Sequence, residues 1–181
     1  ENSTISGNTA RAAAGGIRSA IPAGAGAASF TNTTIYGNVV VNADNVSSNA
    51  NLYVDGQSEP PQFQNTIIAG TAPGANCVLG VNPTSLGYNQ VSDASCALAG
   101  TGDVQSAVIA LAPLANNGGP TQTHLAVVGS STVDAIPAAN CAAAVDQRNL
   151  PRPQGPSCDT GAVEDVPTTQ PPLPVNQPYY L

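Results

Sequence analysis

Three stretches decide the fold: residues 2–10 read NSTISGNTA, residues 32–40 read NTTIYGNVV, and residues 65–73 read NTIIAGTAP. They begin 30 and 33 positions apart. Each opens on Asn, continues through Ser or Thr to Ile, and meets Gly two positions later. β-branched residues followed by glycine read as a short strand ended by a turn. Recurrence at one coarse period implies a chain that returns to the same place once per turn, so that stacked turns share a continuous core. The pattern predicts an all-β fold, a right-handed parallel β-helix. Neighbouring turns of such a coil lie about 4.8 Å apart. Asn2, Asn32 and Asn65 are then expected to form an amide ladder. Ile5, Ile35 and Ile68 (or Ile67) are expected to stack inward, and Gly7, Gly37 and Gly70 to occupy turn positions with unusual backbone angles. The competing reading is three polar strands of an antiparallel sandwich.

Composition agrees with a narrow, regular interior. The 181 residues include 29 Ala, 18 Gly and 17 Asn, no Lys, Met or Trp, and only seven aromatic residues. Charged residues make up 8%, and the net charge is −7 with four Arg. Nothing forms the basic footprint that nucleic acid needs, and no run approaches the ~18 apolar residues of a membrane span. The single His124 is too little for a His-rich metal site. No cofactor and no metal are assigned.

Four cysteines allow three pairings. Cys77–Cys96 and Cys141–Cys158 are expected, because each pair brackets a Gly/Asn/Pro-rich loop; reduced, buried thiols are the alternative. A loop of this size stabilises by about 3 kcal/mol on the chain-entropy account. Disulfides place the protein outside the cytoplasm, secreted or on the cell surface.

The chain divides into β-helix rungs over 1–76, terminal rungs and a cap over 77–165, and a Pro-rich tail over 166–181. GGIRSA (15–20) and NLYVDG (51–56) read as further strands, and IPAGAGAA (21–28) as a protruding loop. In the cap, THLAVV (123–128) reads as a strand that follows an Asn-Asn-Gly-Gly-Pro turn. This region is expected to close the coil at its C-terminal end, where an open core and strand edges need cover. The tail holds 5 of the 16 prolines. It reads as an extended segment that docks on a neighbouring copy through Leu173, Val175, Tyr179, Tyr180 and Leu181, the alternative being that it folds back along its own body.

Taken together, NTIIAG, SLGYNQVSDASC, LAPLANNGGPTQTHLAVV and DQRNLPRPQGPSCDTGAVE resemble the bacterial choice-of-anchor Q domain proteins. The resemblance covers most of residues 1–164. NNGGPTQTH and the DQR…PRP…CD string are its specific parts. This sequence has Asn149 where that family usually has Gly, and Thr160 where it usually has Ile. The resemblance implies a secreted or surface-attached right-handed β-helix, and it assigns no chemistry.

The residues themselves offer little chemistry. His124 has no Ser/Asp partners in a recognisable catalytic motif. Asp134, Asp146, Asp159 and Glu164, with Arg148 and Arg152 between them, read as ion pairs locking loops; the functional alternative is a carboxylate pair or a Ca²⁺ cluster. NST, NTT and NVS at Asn2, Asn32 and Asn45 match glycan acceptors, but they read mainly as repeat composition. The expected function is a non-catalytic extracellular structural protein that assembles with copies of itself, head to tail, into a filament or surface layer. The alternatives are a glycan-binding adhesin or spacer that uses Tyr36 or Tyr53 as stacking platforms, and a polysaccharide lyase or hydrolase.

Overall fold

The structure, a computed structural model, describes residues 1–11, 13–41, 47–49, 51–71 and 73–165. These residues form strands and turns, with one 3-10 turn at Ala138–Asn140 and no α-helix. The first pass of the chain lays down β1 (Ser3–Ser6), β2 (Thr9–Ala10), β3 (Ile17–Ser19) and β4 (Ser29–Thr31). The second gives β5 (Thr33–Tyr36), β6 (Val39–Val41), β7 (Ser47–Asn49), β8 (Leu52–Val54) and β9 (Gln62–Gln64). The third gives β10 (Ile67–Ala69), β11 (Cys77–Leu79) and β12 (Thr84–Gly87). Then come β13 (Gln90–Val91), β14 (Val104–Gln105), β15 (Ile136–Pro137) and β16 (Ser157–Cys158).

Strands at equivalent places in successive passes pair in parallel. One sheet runs β1-β5-β10-β13-β14, a second β3-β8-β11 and a third β4-β9-β12. Each full pass visits the three sheets in the same order. The antiparallel pairs are the β6–β7 hairpin and β15–β16. The stretches read as strands, GGIRSA and NLYVDG, contain β3 and β8.

The register puts Ile5 beside Ile35, Ile35 beside Ile68, and Ile68 beside Val91. Ile35, Ile68 and Val91 enter one buried cluster with Leu52, Val54, Phe63, Cys77, Cys96 and Leu98. Phe30 and Phe63 stack with ring centroids 5.0 Å apart. Aliphatic side chains at this spacing fill the interior without large aromatics, which is why so few are present. Ile67 faces the other way, so the inward stack is Ile5–Ile35–Ile68.

Asn2, Asn32 and Asn65 do lie in one row, but they do not bond to one another. Their φ values are 49°, 48° and 53°, and the same row continues through Tyr88 at 56° and Gly102 at 74°. An L-residue there gives up about 1–2 kcal/mol, and Asn tolerates it best after Gly. The asparagines are therefore corner residues selected for their backbone. Asn2 Nδ2 donates to Val145 O and Asn65 Nδ2 to Asn140 O. Among the described residues neither amide atom of the fully buried Asn32 has a partner. Gly7 and Gly37 take the left-handed angles expected of them. Gly70 stays outside that region, and its N–H donates to Ser92 Oγ.

Residues 107–165 do not cover the end of the stack. They lie along its side, over the outer face of the first sheet. Thr34, Ile67, Ala69 and Gln90 are buried beneath them. Thr4 donates to Gln147 Oε1, Ala162 N to Thr34 Oγ1, and Gln90 Nε2 to Ser131 O. The threonines, glutamine and isoleucine on that face need both apolar cover and hydrogen-bond partners, and the layer supplies both. Gly161, at φ 99°, comes so close that a Cβ would lie 2.6 Å from Ile67 Cδ1. The end itself is closed by residues 92–106, which bring Cys96 and Leu98 into the core. The disulfides are Cys77–Cys96, which ties this closure to β11, and Cys141–Cys158, within the lateral layer. THLAVV forms isolated bridges, Thr123 with Ala115 and Ala126 with Leu111, and no strand. Asn149 holds φ 69°, a left-handed angle that asparagine accepts. The tail residues Leu173, Val175, Tyr179, Tyr180 and Leu181, and the acceptor motif at Asn45, lie outside the described residues.

Candidate functional site

The amide ladder exists on a different row. Asn8 Nδ2 donates to Asn38 Oδ1 (2.8 Å), Asn38 Nδ2 to Asn51 Oδ1 (2.8 Å), and Asn51 Nδ2 to Asn76 Oδ1 (2.9 Å). Asn76 Nδ2 ends the run on Ser92 Oγ (2.9 Å). The backbone N–H of Asn8 reinforces the same acceptor as its side chain, Asn38 Oδ1, and that of Asn38 does the same at Asn51 Oδ1. Asn38, Asn51 and Asn76 are fully buried. Each of the four stands immediately before a strand, β2, β6, β8 or β11. That position, an Asn leading a short apolar run, is the signal that points to them in the sequence.

All four links run in one direction, with donors aimed toward the closed end. There the acceptors change character. Asp93 accepts from Asn76 N, Ser95 N and Ser95 Oγ. Asp103 accepts from Asn89 N and Asn89 Nδ2. Burial alone would raise the Asp93 carboxyl; donors from Ser95 and Asn76 outweigh it and hold it below the ordinary value. A carboxylate accepts but has no N–H to pass on, so it terminates a ladder where an amide would extend it.

The lateral layer gathers the acidic residues named from the sequence. Arg152 and Glu164 pair at 2.9 Å with side chains 1% exposed. Arg152 also donates to Asp159 O and Gly161 O, while Glu164 accepts from Gln154 N and Asp159 N. Asp146 accepts from the N–H groups of Arg148, Leu150 and Glu164 and from Arg148 Nε. Asp134 Oδ1 accepts from Ser157 N, and Asp134 N donates to Asp159 Oδ1. These carboxylates hold loops together, as the pairing of Arg with acid in this segment suggests. Among the described residues no group of three or more His, Cys, Asp or Glu is placed to hold a metal ion.

Burial pushes the Asp159 carboxyl up to about 6, the charges of Glu164 and Asp165 add to the rise, and N–H donors from Asp134 and Asp165 oppose it. Asp165 moves the same way, chiefly through burial. The folded state then holds protons between about pH 4 and pH 6 that the unfolded chain has released. Stability should rise as pH falls from 7 to 5, and that gain is lost again as pH climbs through about 6. Urea midpoints at the two pH values check this, with Asp159→Asn flattening the slope. A native midpoint equal at pH 7 and pH 5 would refute it.

His124 is structural in its contacts. Nδ1 lies 2.7 Å from Ala112 O and Nε2 lies 2.6 Å from Ser6 Oγ. A carbonyl only accepts, so Nδ1 carries the proton and Nε2 accepts from the serine hydroxyl in the neutral ring. Tyr36 meets His124 edge-on at 4.8 Å beneath the layer, so its ring is not an open platform. Tyr53 lies under the guanidinium of Arg18, which pairs with Asp55 at 3.0 Å. Asn32, fully buried, has no room for a glycan in the folded chain.

Among the described residues no helix is long and apolar enough to cross a membrane. No protein-family model, curated protein or solved structure matches the chain.

Proposed function

We propose that the chain is a non-catalytic extracellular structural protein built as a right-handed parallel β-helix. One observation within the fold carries this reading: strands at equivalent places in successive passes pair in parallel over the buried column Ile35, Ile68 and Val91. Ile35, Leu52 and Phe63 of the second pass are 0% exposed, whereas Ile5, Ile17 and Phe30, their neighbours in the same columns, are only half-buried. The far end is stapled by Cys77–Cys96. Right-handed crossovers are the rule between parallel strands of one sheet. Two disulfides suit an oxidising, extracellular setting. The saturated carboxylates of the lateral layer support a scaffold in place of an enzyme. The resemblance to choice-of-anchor Q domain proteins points to the same setting.

A second reading keeps copies joined head to tail through the 166–181 segment, docked on a neighbouring copy. Electron microscopy of the untagged chain at neutral pH separates the two. Discrete particles are expected for a module that does not self-assemble. Filaments with a subunit-sized axial repeat would overturn that reading in favour of self-assembly. Release of uronides from acidic polysaccharides, with or without Ca²⁺, would overturn the non-catalytic part.

A further inference from the structure

Beside the second sheet, past the ends of β3 and β8, lies a cleft of about 210 Å³ lined by Ala20, Pro22, Asp55, Gln57 and Ser58. Two segments form it, 20–26 running on from β3 and 55–59 from β8. Bonds between them fix its shape. Pro22 bridges to Ser58, Glu59 N donates to Ile21 O, Ile21 N to Ser58 Oγ, and Gly24 N to Glu59 Oε2. Within the second segment Ser58 N donates to Asp55 O. Two polar side chains of the lining keep open positions. Among the described residues Gln57 has no side-chain partner, and Asp55 receives Arg18 Nη2 on Oδ2 while no donor reaches Oδ1.

We infer that this cleft binds a neutral saccharide, one ring at a time. It is smaller than the roughly 300–1,000 Å³ of a site for a drug-sized ligand, so it takes a single ring and not a chain. Asp55 Oδ1 calls for a donor, and the Gln57 amide calls for both a donor and an acceptor; hydroxyl groups supply all three. The Ala20 methyl and the Pro22 ring give an apolar wall for the C–H side of a sugar. Charge narrows the class further. Arg18 already neutralises Asp55 at 3.0 Å, so a cationic ligand gains no net attraction there. An anionic ligand meets the carboxylate, which lines the cleft where Arg18 does not. An apolar ligand strips water from Asp55 and Gln57 and returns no hydrogen bond. The two segments are already fixed to each other, so binding orders little else. Recognition runs through the cleft and not through the Tyr53 ring, which Arg18 covers. The inference goes beyond the scaffold reading and is independent of whether copies assemble.

The test follows backbone amide chemical shifts of the full chain by NMR. The probes are glucose, galactose, mannose and N-acetylglucosamine, with glucosamine and glucuronate as charged counterparts. At least one neutral sugar should shift Gly24, Asp55, Gln57 and Ser58 together, with an affinity of about 1 mM. The charged counterparts should bind at least about fivefold more weakly. Gln57→Ala should weaken binding about five- to tenfold, the effect of one lost hydrogen bond. Ala20→Leu fills the cleft and should abolish binding. Both residues are exposed, so urea midpoints should stay at the parent value and separate lost binding from lost folding. No localised shift from any neutral sugar at about 50 mM, far above that affinity, would overturn the inference. So would tighter binding of glucosamine or glucuronate, which would mark an ion site. Unchanged binding in either variant would place the sugar elsewhere and overturn it too. A stronger shift of the same amides by N-acetyl-asparagine amide would mark a peptide site, with the same consequence.

Discussion

Glu164→Gln should lower the unfolding free energy by about 3–5 kcal/mol, the loss typical of a buried pair broken on one side. The side chain is 1% exposed and accepts from Arg152, Asp159 N and Gln154 N. An amide in its place keeps one acceptor oxygen and turns an N–H₂ toward groups that are themselves donors. It also leaves the Arg152 guanidinium charged in a desolvated place. Burial already pulls Arg152 below its ordinary value, while the charges of Glu164, Asp146 and Asp159 pull it back up. The loss should fall first on the lateral layer, because Arg152 holds the 159–161 backbone against the sheet through Asp159 O and Gly161 O. Urea denaturation reads the total. Faster exchange at Gly161 and Ala162 locates it. A change below about 1 kcal/mol would mean the pair is no more than a surface bridge.

Asn38→Ala and Asn32→Gly should differ by several-fold, although both change a buried asparagine of the repeat. Asn38 accepts from Asn8 N and Asn8 Nδ2 and donates to Ile5 O and Asn51 Oδ1. Removing its amide strands polar groups on both sides, at about 3 kcal/mol in total. Asn32 has no amide partner, and Gly adopts its φ of 48° without penalty. Asn32→Gly should therefore change stability by less than about 1 kcal/mol. Thermal or urea unfolding of the two variants decides the matter. A larger loss at Asn32 than at Asn38 would return the ladder to the row that the repeat suggests.

That contrast shows what was legible in the sequence. The period, the inward isoleucines and the local cysteine pairs follow from residue type and spacing, because β-branched side chains and loop closure act locally. The ladder was harder to find. The repeat has Asn at both ends, as in Asn32 and Asn38, and periodicity alone does not say which one turns inward. Backbone angle decides: the first of each pair sits at a left-handed corner and faces the lateral layer. Asn51 and Asn76 fall outside the repeat motif altogether and join only because the β6–β7 hairpin and the longer path to β11 return the chain to the same column. The lateral position of residues 107–165 was not legible either. Their bonds to Thr4, Ser6 and Thr34 span more than 110 positions, and no local pattern encodes them.

The lateral layer also changes how the molecule bears load. Hydrogen bonds between parallel strands join each pass to the next, so passes pulled apart along those bonds would separate one at a time. Here the layer touches the first pass at Asn2, Thr4 and Ser6, the second at Thr34, the third at Asn65 and the fourth at Gln90. It acts as a splint. Separating one pass from its neighbour would also break bonds to the splint, so tension on the first pass should be shared with the layer.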